Sequence, residues 1–166
     1  MDKFRRRIYQ SLGEIIADIR AVMSRRREIR PLMQGKTIDP IFRERLMLTV
    51  TAVNGCRYCS YAHARTALVE GISKEEIEAL GKGMFTGIPV GEIPPLLYAQ
   101  HWAETNGQPD LAAKKRMVEQ YGTSTTNNIE LLLRLICIGN LWGNTLDYIL
   151  YRLSFGRWGG RTSSSR

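Results

Sequence analysis

Cys56 and Cys59 stand two residues apart, with Arg57 and Tyr58 between them, and His63 follows four positions later. Residues three apart on a helix share a face, so the two sulfurs reach one another and can pass between dithiol and disulfide. Asn54-Gly55 is a helix-ending turn signal, so Cys56 falls at the start of the next helix. There the free backbone N–H groups and the helix dipole favour a thiolate. His63 lies one turn beyond Cys59 on the same face. Its imidazole is suited to accept or relay a thiol proton near neutral pH.

Three chemistries fit this spacing. A redox pair is favoured by the helix-start position. Two thiolates and an imidazole also make good zinc ligands, but no second Cys/His cluster is present to complete a structural tetrahedron. An inert pair buried in the core is the third. Glu44, twelve positions before Cys56, has Ile41, Met47, Leu48 and Thr51 as helical neighbours. Burial in that stripe would suit its carboxyl to proton transfer. Taken alone, the local sequence favours a surface glutamate paired with Arg43 or Arg45.

The elements that must position these residues read as helices throughout, and an all-α, single-domain helical bundle is expected. Ile8, Leu12, Ile15, Ile16, Ile19, Val22 and Met23 recur at three- and four-residue steps, an apolar stripe for the core or a neighbouring subunit. Asp39-Pro40 opens a second helix that runs to about Val53. A third covers about Cys56 to Glu70 and stops at Gly71. Ser73 with Glu76 makes a capping box for a short fourth. Gly81, Gly83, Gly87, Pro89, Gly91, Pro94 and Pro95 mark a loop region. Helices at about Leu96–Thr105, from Pro109 to Gly122, and at about Thr125–Leu153 follow. No segment alternates long enough to propose a sheet. The domain is placed at 1–158, with a motif core at 39–83 and a flexible tail at 159–166.

Length and composition agree with one ordinary domain: 166 residues, 43% hydrophobic, with a net charge of +8. Three cysteines do not resemble a secreted disulfide framework. No signal or transit peptide is visible, and the most apolar stretch, Leu131–Trp142, is too short to span a bilayer. A cytoplasmic protein without a membrane segment is expected. The runs Arg5–Arg7 and Arg25–Arg27 read as solvated helix faces; no aromatic or glycine-rich signature interleaves with them, which argues against nucleic acid as a partner. The positive balance would also suit recruitment of an acidic reductant protein. Cys137, between Ile136 and Ile138, reads as a core residue, His101 as a structural histidine, and Trp142, Tyr148 and Tyr151 as core or interface aromatics.

Glu44, eleven intervening residues, Cys56-Arg57-Tyr58-Cys59, three more residues and His63 resemble the signature of the alkylhydroperoxidase D-like group within the carboxymuconolactone decarboxylase family. The stretch Gly71-Ile72-Ser73-Lys74-Glu75-Glu76-Ile77 is similar to the family as well. The resemblance covers about Asp39 to Gly83. It implies an all-helical fold assembled as trimers or hexamers, and reduction of a hydroperoxide substrate by the cysteine pair with no cofactor and no metal. It further implies that Cys59 attacks the peroxide and Cys56 resolves the sulfenic acid. Glu44 and His63, with a water, form the proton relay, and a protein or lipoyl-type thiol reductant restores the dithiol. The best-known form of the motif carries a histidine between the cysteines. Arg57 and Tyr58 stand there in this chain, and Arg57 would put a positive charge near the thiolates. The decarboxylase branch lacks the cysteine pair, so decarboxylation is not expected. Two other readings stand beside the peroxidase: a protein dithiol–disulfide exchange enzyme, and a basic helical module whose cysteines serve as a redox sensor.

Overall fold

The computed structural model describes residues 4–160, which form seven α-helices and one 3₁₀ turn, with no strand among the described residues. The helices are α1 (Leu12–Ser24), α2 (Arg26–Met33), α3 (Pro40–Asn54), α4 (Arg57–Val69), α5 (Lys74–Gly81), α6 (Ile93–Glu104) and α7 (Leu111–Leu153). No helix of the described residues is long and apolar enough to cross a membrane.

α3 is the axis of the fold. Asp39 caps it by accepting from the Ile41 and Phe42 N–H groups, and Pro40 takes the first turn, where its missing N–H costs nothing. The helix is then buried almost all round, because α4, α5, α6 and α7 pack against it. Leu46 and Val50 of α3 meet a core that includes Leu80 of α5, Leu96 of α6 and Leu132 of α7, all fully buried. Each such side chain contributes roughly 1.5–3 kcal/mol by leaving water. Gly55 ends α3 in the left-handed conformation (φ 70°), and its N–H bonds to the Thr51 carbonyl. A glycine serves here twice over, since a Cβ would also press on the Arg6 side chain, 3.2 Å from its Cγ.

Several local expectations need correction. The first helix begins at Leu12 with Ser11 as its cap, so Ile8 lies outside it, and the chain restarts as a separate helix, α2, after Arg25. The stripe on α1 is half solvated: Leu12, Ile16, Ile19 and Met23 are all exposed, and no α1 residue is fully buried. Residues 4–11 form a non-helical arm, so Arg5–Arg7 is not a solvated helix face. Arg6 is buried, because it has a carboxylate partner on α7. Pro94 and Pro95 sit inside the first turn of α6, where proline is tolerated. Ser73 caps α5 as expected, but Glu76 does not close the box; its carboxylate goes to Arg45. The two C-terminal helices are continuous in α7 apart from a kink at Gly122 (φ 80°, ψ 159°). Of the stretch expected to be a flexible tail, 161–166 lie outside the described residues, and Gly159 is buried with its carbonyl accepting from Arg6.

Candidate active site: a dithiol at the start of α4

Cys56 is the N-cap of α4, and its sulfur accepts from the Cys59 backbone N–H at 3.4 Å. The two sulfurs share a hydrogen bond at 3.1 Å. Closing the disulfide therefore needs a movement of only about 1 Å. Cys56 is fully covered, whereas Cys59 is partly exposed. The Cys56 thiol is lowered from 9.0 to about 6, first by the hydrogen bond from Cys59, then by the backbone N–H groups of Cys59 and Tyr58 and by the positive charge of Arg6. The same contact with Cys56, with burial, pushes Cys59 up. The two thiols share one hydrogen-bonded proton, and their titrations belong to both sulfurs together.

Glu44 and His63 meet. His63 Nδ1 lies 2.8 Å from Glu44 Oε2, and Arg43 Nε donates to Glu44 Oε1 at 3.0 Å. Arg43 is the partner anticipated for Glu44, but the carboxylate is not on the surface: it is 2% exposed. Arg45 turns away to Glu76 and Glu92. With Nδ1 bonded to a carboxylate, Nδ1 carries the ring hydrogen of neutral His63 and Nε2 is the basic nitrogen. Among the described residues His63 makes no direct hydrogen bond to either sulfur, so a proton between them must cross an intervening group. Nor do these side chains come together as a metal site: among the described residues no group of three His, Cys, Asp or Glu could hold an ion.

The residues between the cysteines point to α7. Arg57 Nη2 donates to Asp147 Oδ1 at 2.7 Å, and the Tyr58 hydroxyl donates to the same oxygen at 2.9 Å. Arg6 Nη1 takes the other oxygen, Oδ2, at 2.6 Å. Asp147 is fully buried. Both arginines share the Asp147 carboxylate, but Arg6 is covered whereas Arg57 is 38% exposed, and the charge that lowers Cys56 is that of Arg6 rather than of Arg57, the residue between the cysteines.

The rest of this α7 face also fits the site. Gly143 lies against Cys56 and Gly139 against Cys59. Asn144 donates to the carbonyls of Asn54 and Arg7, at 2.8 and 3.0 Å, and so ties the end of α3 and the arm to α7. Sequence reasoning passed over Arg6, Gly143, Asn144 and Asp147. One signal was available: Gly139, Asn140, Gly143, Asn144 and Asp147 recur at three- and four-residue steps in an otherwise apolar helix. Cys137 is in the core, with burial pushing its thiol up. His101 stands apart, pairing with Asp110, the cap of α7.

Comparison with curated proteins and with solved structures finds no match for the chain. Residues 21–105, just over half of the 166, match the model of the carboxymuconolactone decarboxylase family. That stretch runs from the end of α1 through α6 and contains Glu44, Cys56, Cys59 and His63, while the arm and α7 lie outside it. The chain belongs to the carboxymuconolactone decarboxylase family.

Proposed function

We propose that the protein reduces hydroperoxides at the Cys56/Cys59 dithiol, with His63 and Glu44 moving the proton. The observation that carries this reading is the contact of two sulfurs at 3.1 Å on a helix N-terminus, with His63 one turn further along the same helix paired to the buried Glu44. The resemblance of these four residues to the alkylhydroperoxidase D-like signature supports it.

Cys59 is the sulfur that meets the peroxide, since Cys56 is covered. Transfer of the shared proton through a water to His63 Nε2 bares the Cys59 thiolate. That thiolate attacks one peroxide oxygen, and the O–O bond breaks. Cys59 becomes a sulfenic acid, and the alkoxide leaves as an alcohol with one proton from the relay. The Cys56 thiolate then attacks the Cys59 sulfur. The S–O bond breaks, hydroxide leaves as water with a second proton taken up from solvent through His63, and the disulfide forms. A dithiol reductant, of protein or lipoyl type, reopens it by exchange and is itself oxidised to a disulfide. Assembly into trimers or hexamers would cover the exposed apolar residues of α1.

The test is to trap the intermediate. Treated with an organic hydroperoxide, Cys56→Ser should accumulate a sulfenic acid on Cys59 that a dimedone-type reagent captures, and Cys59→Ser should not. A second reading, dithiol–disulfide exchange with proteins, is favoured by Arg57 and Tyr58, which put no histidine between the cysteines. It would be indicated by absence of any trapped sulfenic acid while exchange with a protein disulfide persists.

A further inference from the structure

Three buried or half-buried charges meet beside Cys56. Asp147 is fully buried, the Arg6 side chain is 4% exposed, and Arg57 reaches in from the surface at 38%. Two cations against one anion leave a surplus of one positive charge. Arg57 keeps contact with solvent, but Arg6 is covered and shares its carboxylate with Arg57, so its own charge is only partly matched inside the fold, where an unmatched charge is costly. Asn54 and Asn144 are neutral, and the remaining titratable groups at the thiols are Tyr58, Cys59 and His63 on α4 itself. Among the described residues the anion within reach is the Cys56 thiolate. The Arg6 aliphatic chain passes directly over Gly55, the residue before Cys56, and its guanidinium is fixed at both ends of its fork, by Asp147 and by the Gly159 carbonyl.

We propose that Arg6 is a positioning residue of the dithiol: held on Asp147, its guanidinium supplies the charge that completes the Cys56 thiolate, and the same carboxylate fixes Arg57 and Tyr58, so that the turn between the cysteines and its counter-charge hang from one point of α7. The role rests on the dithiol reading given above, but lies outside the stretch that matches the family, on the arm and α7. Its consequence is thermodynamic. The reduced, singly ionised pair balances the charge, whereas the protonated pair and the disulfide do not. Arg6 therefore favours the reduced form. By linkage, the thiolate in turn favours the docked arm.

The test uses the reduced full-length protein and no peroxide, so its outcome is independent of whether the protein is a peroxidase. Thiolate ultraviolet absorbance is followed against pH for the parent, Arg6→Gln and Arg6→Lys. The parent should show its first thiolate near pH 6. Arg6→Gln should shift that titration upward by at least about half a pH unit, and Arg6→Lys, which keeps the charge, should recover most of the shift. In a glutathione redox buffer the Arg6→Gln disulfide should be harder to reduce than the parent's. An unchanged titration in folded Arg6→Gln, or a shift in Arg6→Lys as large as in Arg6→Gln, would overturn the proposal. Should Arg6→Gln fail to fold, hydrogen exchange on the unaltered reduced protein decides. The Tyr9 amide, which bonds to Thr145 Oγ1 and reports docking of the arm, should gain protection as pH rises through the first thiol titration. Equal protection on both sides would contradict the linkage.

Discussion

Gly143 of α7 lies so close to Cys56 that a Cβ built on it would stand 2.7 Å from the Cys56 sulfur. One turn earlier on the same helix, a Cβ on Gly139 would stand 3.8 Å from the Cys59 sulfur, an ordinary contact. The helix thus approaches the first thiol through a glycine that nothing larger can replace without moving the sulfur.

Gly143→Ala should therefore push Cys56 off its contact with Cys59 and slow disulfide closure by about tenfold or more, at an overpacking cost of about 1–3 kcal/mol. Gly139→Ala should leave closure near the parent rate. Its melting temperature should be equal or higher, since alanine is the better helix former by about 1 kcal/mol. Stopped-flow loss of thiols and thermal melts on the two variants separate these outcomes.

Glu44→Gln keeps the shape of the side chain but removes the charge that Arg43 and His63 share. Peroxide reduction should fall about 10²-fold, while stability falls by about 1–3 kcal/mol, because Arg43 still donates to the Met33 carbonyl. If Glu44 and His63 act as one relay, the double variant Glu44→Gln/His63→Gln should be no slower than the worse single one. Multiplying losses would show that the two residues act separately.

The thiol pair should also make stability depend on pH. Folded Cys56 titrates at about 6, below its ordinary 9.0. Between those values the unfolded chain binds more protons, so stability of the reduced protein should rise with pH from about 6 to about 9, by up to a few kcal/mol. The contribution is lost as pH falls through 6. Cys59, pushed up by Cys56 and by burial, acts oppositely above about 9, where the folded chain must keep a proton that the unfolded chain has released. The disulfide form has neither group. Urea melts of both redox states against pH provide the check; parallel curves would mean that the thiolate is not favoured by the fold.

Much of the fold was legible because its signals are local. Asp39-Pro40, Asn54-Gly55 and Ser73 each specify a cap within a few residues of themselves, and the structure uses all three. The cysteine pair and His63 are likewise a matter of helical spacing. Glu44 shows where local reading ends. Its neighbours suggest a surface ion pair with arginine, and one such pair forms, but burial comes from four helices closing round α3. Arg6 and Asp147 are further out of reach. They are 141 positions apart, and nothing near Arg6 in the chain distinguishes it from the solvated Arg5. What the sequence does carry is the polar and glycine rhythm of α7, which becomes readable once the thiols are known to lie against it.

A thiol count decides whether the Cys56/Cys59 pair reduces peroxide. The fully reduced protein is mixed with an equal amount of an organic hydroperoxide, and thiols are counted over time under denaturing conditions. Two of the three should vanish quickly, leaving Cys137, and Cys59→Ser and Glu44→Gln should both slow the loss. Persistence of all three thiols, in a protein whose Cys56/Cys59 pair is still oxidised by a protein disulfide, would contradict peroxide reduction at this pair.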